Sequence, residues 1–180
     1  MLNDRQIMSN KQIGQVALFL DGDTGSASNA GVQVFDDHMI EDEDAPLRVD
    51  LSMPQHGVAE PRGDYLLVSV RRDDLESTSS NFILPDQVAV YHLHDGEYEL
   101  DETLDVTCPD LHGAAQNETH IVFGCSDGVL LVSDDGNGAF TAQKLLNSGD
   151  VADGLRIGSL WGHAESGQFI AQASAHGGSS

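Results

Sequence analysis

A short motif returns along the chain at nearly even intervals, and no other feature of the sequence narrows the fold as much. QHGVAE at 55–60 reappears as LHGAAQ at 111–116 and, with histidine and glycine transposed, as WGHAES at 161–166. The histidines lie 56 and then 51 residues apart, a spacing at which a repeated sheet unit is the first expectation. Each motif leads into a β-rich run: YLLVSV at 65–70, HIVFGC at 120–125 and QFIAQA at 168–173. A further strand ending in turn residues follows in QVAVYHLHDG (87–96) and GVLLVSDDG (128–136), and GVQVFDD (31–37) fits the same slot one unit earlier. A more polar strand closes each unit, as PLRVDLS (46–52), YELDETLDV (98–106) and AFTAQKLL (139–146).

Four antiparallel strands per roughly 50 residues describe a β-propeller blade. VALFLDG at 16–22 fills the second-strand slot of the first unit, whose first strand lies in residues 1–12 or is missing. The fold class expected is therefore all-β: a partial β-propeller of about three four-stranded antiparallel blades in one domain, 1–180. Its blade pieces run approximately over 13–52, 53–107, 108–147 and 155–174. No helix is expected, and only SGDVADGL at 148–155 has the composition to turn helically. Propeller rings close with four to eight blades, so so few blades predict a homo-oligomer in which two copies complete a ring about a twofold axis. The alternatives are a monomeric open arc or a β-sandwich of the same strands.

Thirty acidic against eight basic residues give a net charge of −22. That charge repels phosphate backbones and anionic lipid, which argues against nucleic acid or a membrane surface as partner. The N-terminal MLNDRQIMSNKQ has no apolar core of a signal peptide, and no later run approaches the ~20 apolar residues of a membrane span.

In a propeller the first strand of each blade lines the central channel, so equivalent positions on successive blades converge on the axis. His56, His112 and His163 are candidates for such a ring, with the adjacent glycines permitting close backbone approach. Neutral imidazoles with a carboxylate or water as a further ligand suit zinc better than the oxygen-seeking calcium or magnesium. Glu60, Asp110 and Glu165 are the nearest acidic residues in the three motifs, and Glu165 completes the expected metal set of His56, His112, His163 and Glu165. The competing reading gives each histidine a structural hydrogen bond between strands and leaves a metal-free interaction scaffold. His92 and His94 share one face of a strand and could bind a metal weakly, although a solvated edge is the expectation; His38, His120 and His176 fall in an acidic loop, at a strand start and in the tail.

Cys108 and Cys125 flank the second motif. If Gln116 and Asn117 form a two-residue hairpin turn, paired residue numbers sum to 233 and the two cysteines face each other. A cross-strand disulfide is then possible, while a buried reduced pair and a thiolate metal site stay open.

The run CPDLHGAAQNETHIVFGCSDGVLLV (108–132), with PQHGVAEPRGDYLLVSV upstream and GSLWGHAESGQFIA downstream, resembles the AztD-type periplasmic zinc metallochaperones. Those are β-propellers that pass zinc to the solute-binding protein of a zinc ABC importer. The resemblance covers nearly the whole chain, which corresponds to the later part of such a propeller. It implies a Cys108–Cys125 disulfide, zinc held by histidines, a zinc solute-binding protein as partner and periplasmic residence. The family's mobile His-rich loop has its nearest counterpart in DDHMIEDED at 36–44, with a single histidine.

Two other chemistries are weighed. Asp23-Thr24-Gly25-Ser26 is the active-site tetrapeptide of aspartic proteases, which in one copy requires a homodimer to pair its carboxylates. It falls where the repeat demands a glycine-rich turn. A calcium loop beginning at Asp21 lacks its bidentate glutamate, since the twelfth position is Val32.

Overall fold

The structure, a computed structural model, describes residues 5–10, 14–23, 25, 26, 28–72 and 83–175. Its strands form four separate sheets in chain order. Sheet I contains β1 (Arg5–Asn10), β2 (Gln15–Leu20), β3 (Gly31–Phe35) and β4 (Leu47–Asp50); sheet II contains β5 (Ala59–Arg62), β6 (Tyr65–Val70), β7 (Gln87–His94) and β8 (Glu97–Thr103). Sheet III contains β9 (Ala114–Gln116), β10 (His120–Gly124), β11 (Gly128–Asp134) and β12 (Phe140–Leu146), and a two-stranded sheet IV pairs β13 (Leu155–Trp161) with β14 (Ile170–Ala175). Every sheet is a simple antiparallel meander.

Side-chain alternation explains how the sheets stack. Leu66 and Val68 of β6 pack with Phe19, Val32 and Val34 of sheet I, whereas the intervening Leu67 packs with Ile121, Phe123, Leu130 and Val132 of sheet III. In β10 the same rule sends Ile121 and Phe123 towards sheet II and Val122 towards Ile157 and Leu160 of sheet IV. Central strands buried on both faces thus read as continuous apolar runs. Full burial of each such side chain contributes about 1.5–3 kcal/mol. The first strands β1, β5, β9 and β13 neighbour one another in chain order, the arrangement of a partial β-propeller, in agreement with the all-β expectation.

This topology separates two rims. Connections into a first strand, and those between second and third strands, emerge at one rim, here the first rim. Connections between first and second or third and fourth strands emerge at the second rim.

Residues 5–10 supply the first strand of sheet I, within the 1–12 expected for it. Three other local expectations are corrected. The acidic loop at 36–44 contains a one-turn helix α1 (Asp37–Glu41), because Asp36 caps it by accepting from Met39 N at 2.8 Å. Residues 148–155 form two successive turns instead, closed by Val151 N to Ser148 O and Leu155 N to Ala152 O. The hairpin of β9 and β10 turns at Glu118 and Thr119, pairing Gln116 with Ile121 and Ala114 with Phe123. Asn117 Oδ1 sets that turn by accepting from Thr119 N and His120 N at 3.0 and 2.8 Å. The register that sums to 233 is therefore wrong, although the disulfide is present: Cys108 and Cys125 are joined with Cα atoms 5.0 Å apart. Cys108 lies in the connection before β9, its N–H donating to Asp86 O at 2.7 Å, so the bond staples a loop to the end of β10.

Candidate functional site

The lead-ins to β5 and β9 carry His56 and His112, and each lead-in is pinned from both sides. Buried Gln55 donates through Nε2 to Ser69 O at 2.6 Å and accepts at Oε1 from Arg71 N at 3.1 Å, while Val58 N donates to Ser69 Oγ at 2.8 Å. Around the second histidine, Leu111 N donates to Pro85 O at 2.9 Å and Gly124 N to Gly113 O at 2.8 Å. The glycine after each histidine is demanded by packing. A methyl at Gly57 would be driven into Ser69 Oγ and the Phe19 ring, and one at Gly113 into the Gly158 carbonyl of the next sheet.

Held in this way, the imidazoles of His56 and His112 meet with ring centroids 4.9 Å apart and planes tilted by 41°. His56 Nδ1 bonds Asp21 Oδ2 at 2.9 Å, with the two side chains only 13% and 20% exposed. His112 Nδ1 bonds the carbonyl of Gly158 at 3.0 Å. A carbonyl only accepts, so His112 carries its proton on Nδ1, and its neutral form presents the lone pair at Nε2. The Asp21 carboxylate favours the same tautomer in His56. A carboxylate or carbonyl holding the far nitrogen is the usual support of a metal-binding histidine. All four sheets contribute here: Asp21 follows β2, the histidines precede β5 and β9, and Gly158 lies in β13. The remaining Asp21 oxygen, Oδ1, is buried with no hydrogen-bond partner among the described residues. Arg156 lies near Gly158; burial pulls its guanidinium down from its ordinary value and Asp110 opposes that.

His163 and Glu165 stand elsewhere. Leu155–Trp161 is itself the inner strand of sheet IV, so Gly162-His163 falls in the turn after it, on the second rim. That turn bonds to Asn117 and Glu118, through Asn117 Nδ2 to Ser166 O at 2.8 Å and Glu118 N to Ala164 O at 3.3 Å. Position 117 is five residues of extended chain beyond His112, or ~16 Å along the inner wall. His163 is exposed, and its Nδ1 accepts from Glu165 N at 3.2 Å. Of the four expected residues the structure brings His56 and His112 together, with Asp21 hydrogen-bonded to His56, and leaves His163 and Glu165 apart from them. Among the described residues, no group of three or more His, Cys, Asp or Glu side chains is placed so that it could hold a metal ion.

Further along the wall, buried Glu60 accepts from Gln116 Nε2 at 2.7 Å. Burial raises its carboxyl from 4.5 to about 7, against the pull of that bond and of Arg62. Asp23 is exposed and closes its own turn by accepting from Gly25 N at 2.8 Å, the glycine-rich connection the repeat requires; Thr24 of that tetrapeptide and His176 lie outside the described residues. Among the described residues no helix is long and apolar enough to cross a membrane.

No protein-family model matches the chain, and no curated protein matches it. Solved structures do, two of AztD among them. The crystal structure of Citrobacter koseri AztD is 22% identical with a TM-score of 0.70, over 94% of this chain and 40% of that one. The structure of apo AztD from Citrobacter koseri is 22% identical with a TM-score of 0.69, over 94% of this chain and 42% of that one. The chain thus spans less than half the length of the proteins it matches, and at this identity the likeness concerns the fold. The chain is a partial β-propeller that shares its fold with Citrobacter koseri AztD.

Proposed function

We propose that this chain is a zinc carrier and not an enzyme, taking zinc as cargo on His56 and His112 at the first rim with Asp21 alongside. The observation that carries this is the 4.9 Å approach of two imidazoles whose Nδ1 atoms are both engaged by oxygen. Two imidazoles and a carboxylate form a borderline donor set that suits zinc. The orphaned Asp21 Oδ1 is the oxygen within the site that fits such an ion. Two histidines leave coordination positions open, and a carrier needs them so that an acceptor's ligands can enter before the ion departs.

The fold shared with AztD supports a place beside the zinc metallochaperones, with a zinc solute-binding protein of an ABC importer as recipient and the periplasm as compartment. A homo-oligomer completing the ring belongs to the same reading, and native mass spectrometry should then give twice the 19.2 kDa of one chain. A mass of one chain would count against it.

Zinc titration against a competing chromophoric chelator tests the carrier reading. His56→Ala and His112→Ala should each abolish tight binding, and His163→Ala should leave it unchanged. Unaltered affinity in the first two variants overturns the site. A second reading, a metal-free scaffold, is favoured by the lack of a preformed three-ligand cluster among the described residues; it predicts no zinc uptake by the parent protein.

A further inference from the structure

The second rim gathers its own set of ligating side chains, on the face of sheet II turned towards sheet III. Antiparallel pairing places His92 opposite Glu99 and His94 opposite Glu97 across the β7–β8 ladder. Directly opposed residues share a face, as do residues two apart on one strand. The four side chains therefore form a square of two imidazoles and two carboxylates, beside the Asp95-Gly96 turn whose positive φ values of 49° and 87° keep the hairpin tight.

The imidazoles are already together, with ring centroids 4.1 Å apart in edge-to-face contact. His92 is also stacked on Tyr65 at 4.3 Å with planes 10° apart, and Phe140 of sheet III meets Tyr65 edge-on at 5.2 Å. Gly138 leaves room for this, because a side chain there would be driven into the Tyr65 ring and hydroxyl. His92 thus has a fixed plane, while His94, Glu97 and Glu99 are exposed.

His92 also lines a cleft of about 480 Å³ between sheets II and III, with Asp64, Glu118 and Asp134 in its wall. The one cationic side chain lining that cleft, Arg62, is spent on Asp134 at 2.8 Å and on the carbonyls of Asn117 and Glu118 at 2.6 and 2.5 Å. Its surroundings are acidic, and they draw cations.

We propose that His92 and His94, with Glu97 and Glu99, form a second site for a divalent transition metal, zinc among them, on the rim opposite His56 and His112. The rings lie edge to face and do not yet converge on one point. Closure takes side-chain rotation alone, since the ladder fixes the four Cβ positions. Imidazole with carboxylate suits zinc, copper(II) or nickel(II) over magnesium or calcium.

The test is a zinc titration of the full chain carrying His56→Ala and His112→Ala, with circular dichroism confirming the fold. If that pair melts early, His112→Ala alone takes its place. The first-rim variant should still take up one zinc ion per chain. His92→Asn with His94→Asn in that background should take up none, and Glu97→Gln with Glu99→Gln should weaken the dissociation constant at least about tenfold. No zinc on the folded first-rim variant, or one ion persisting after His92 and His94 are replaced, overturns the second site. If the parent chain binds a single ion that is lost only with His92 and His94, the first-rim reading fails and the second site stands.

Discussion

Replacing Glu60 with glutamine should change how stability depends on pH, by an amount the structure sets. Glu60 is 2% exposed on the inner strand β5, and its Oε2 accepts from Gln116 Nε2, which also donates to Pro61 O at 3.0 Å. Burial outweighs that bond and the Arg62 charge, so the folded carboxyl titrates at about 7 in place of 4.5. Between those values the folded chain keeps a proton that the unfolded chain releases. The associated stability is present in full below 4.5 and is lost as the pH rises through about 7. At about 1.36 kcal/mol per pH unit the loss totals roughly 3 kcal/mol. About 2–3 kcal/mol of it falls between pH 5 and 8, a range clear of the isoelectric point near 4.2. Glutamine keeps an acceptor for Gln116 and cannot ionise. Urea unfolding of both proteins across that range, extrapolated to water, isolates the residue, because every other titrating group is common to the pair. The difference should swing in favour of Glu60→Gln by about 2–3 kcal/mol from pH 5 to pH 8. Two parallel curves with a constant offset would mean that the carboxyl stays ionised throughout, and the reasoning from burial would be refuted.

The Cys108→Ser, Cys125→Ser variant should lose about 3 kcal/mol, since the bond closes a sequence separation of 17 residues; an unchanged denaturation midpoint counts against the staple. Gly113→Ala should cost about 1–3 kcal/mol by overpacking against the Gly158 carbonyl, seen as a lower melting temperature. Asp21→Asn should weaken zinc binding by about 10–100-fold while leaving the fold intact, and unchanged affinity would remove Asp21 from the site.

The central strands were readable as continuous apolar runs, as YLLVSV and GVLLVSD show, because both faces of a middle blade are covered. β13 was not. Its register shifts between Ile157 and Ser159, which puts Ile157 and Leu160 on one face at a spacing of three, and a bulge of this kind erases the alternation that announces a strand. The WGHAES match was then read as a lead-in although it follows the strand. The cysteine pairing was legible and its geometry was not, since the turn is set by Asn117 accepting from two backbone N–H groups and not by the residues before it. Asp21 was weighed only as the start of a calcium loop and gave no signal as a partner of the histidines, because it comes from a different strand slot of a different sheet.

What decides the site is the parity of the connections more than the spacing of the motif. A meander returns to the same rim after every two strands, so the residue after β2 meets the residues before β5 and before β9. That is why Asp21, His56 and His112 coincide although they occupy different slots of the repeat. By the same count His38, His92, His94, His120 and His163 all emerge on the second rim. Spacing near 50 residues brings side chains to neighbouring sheets, but an odd number of strands between them sends them to opposite ends of the channel wall. Moving a histidine from position 163 to the segment before β13 would restore the parity, and a chain carrying Asp153→His with His163→Ala should bind zinc at least as tightly as the parent if rim parity governs the site.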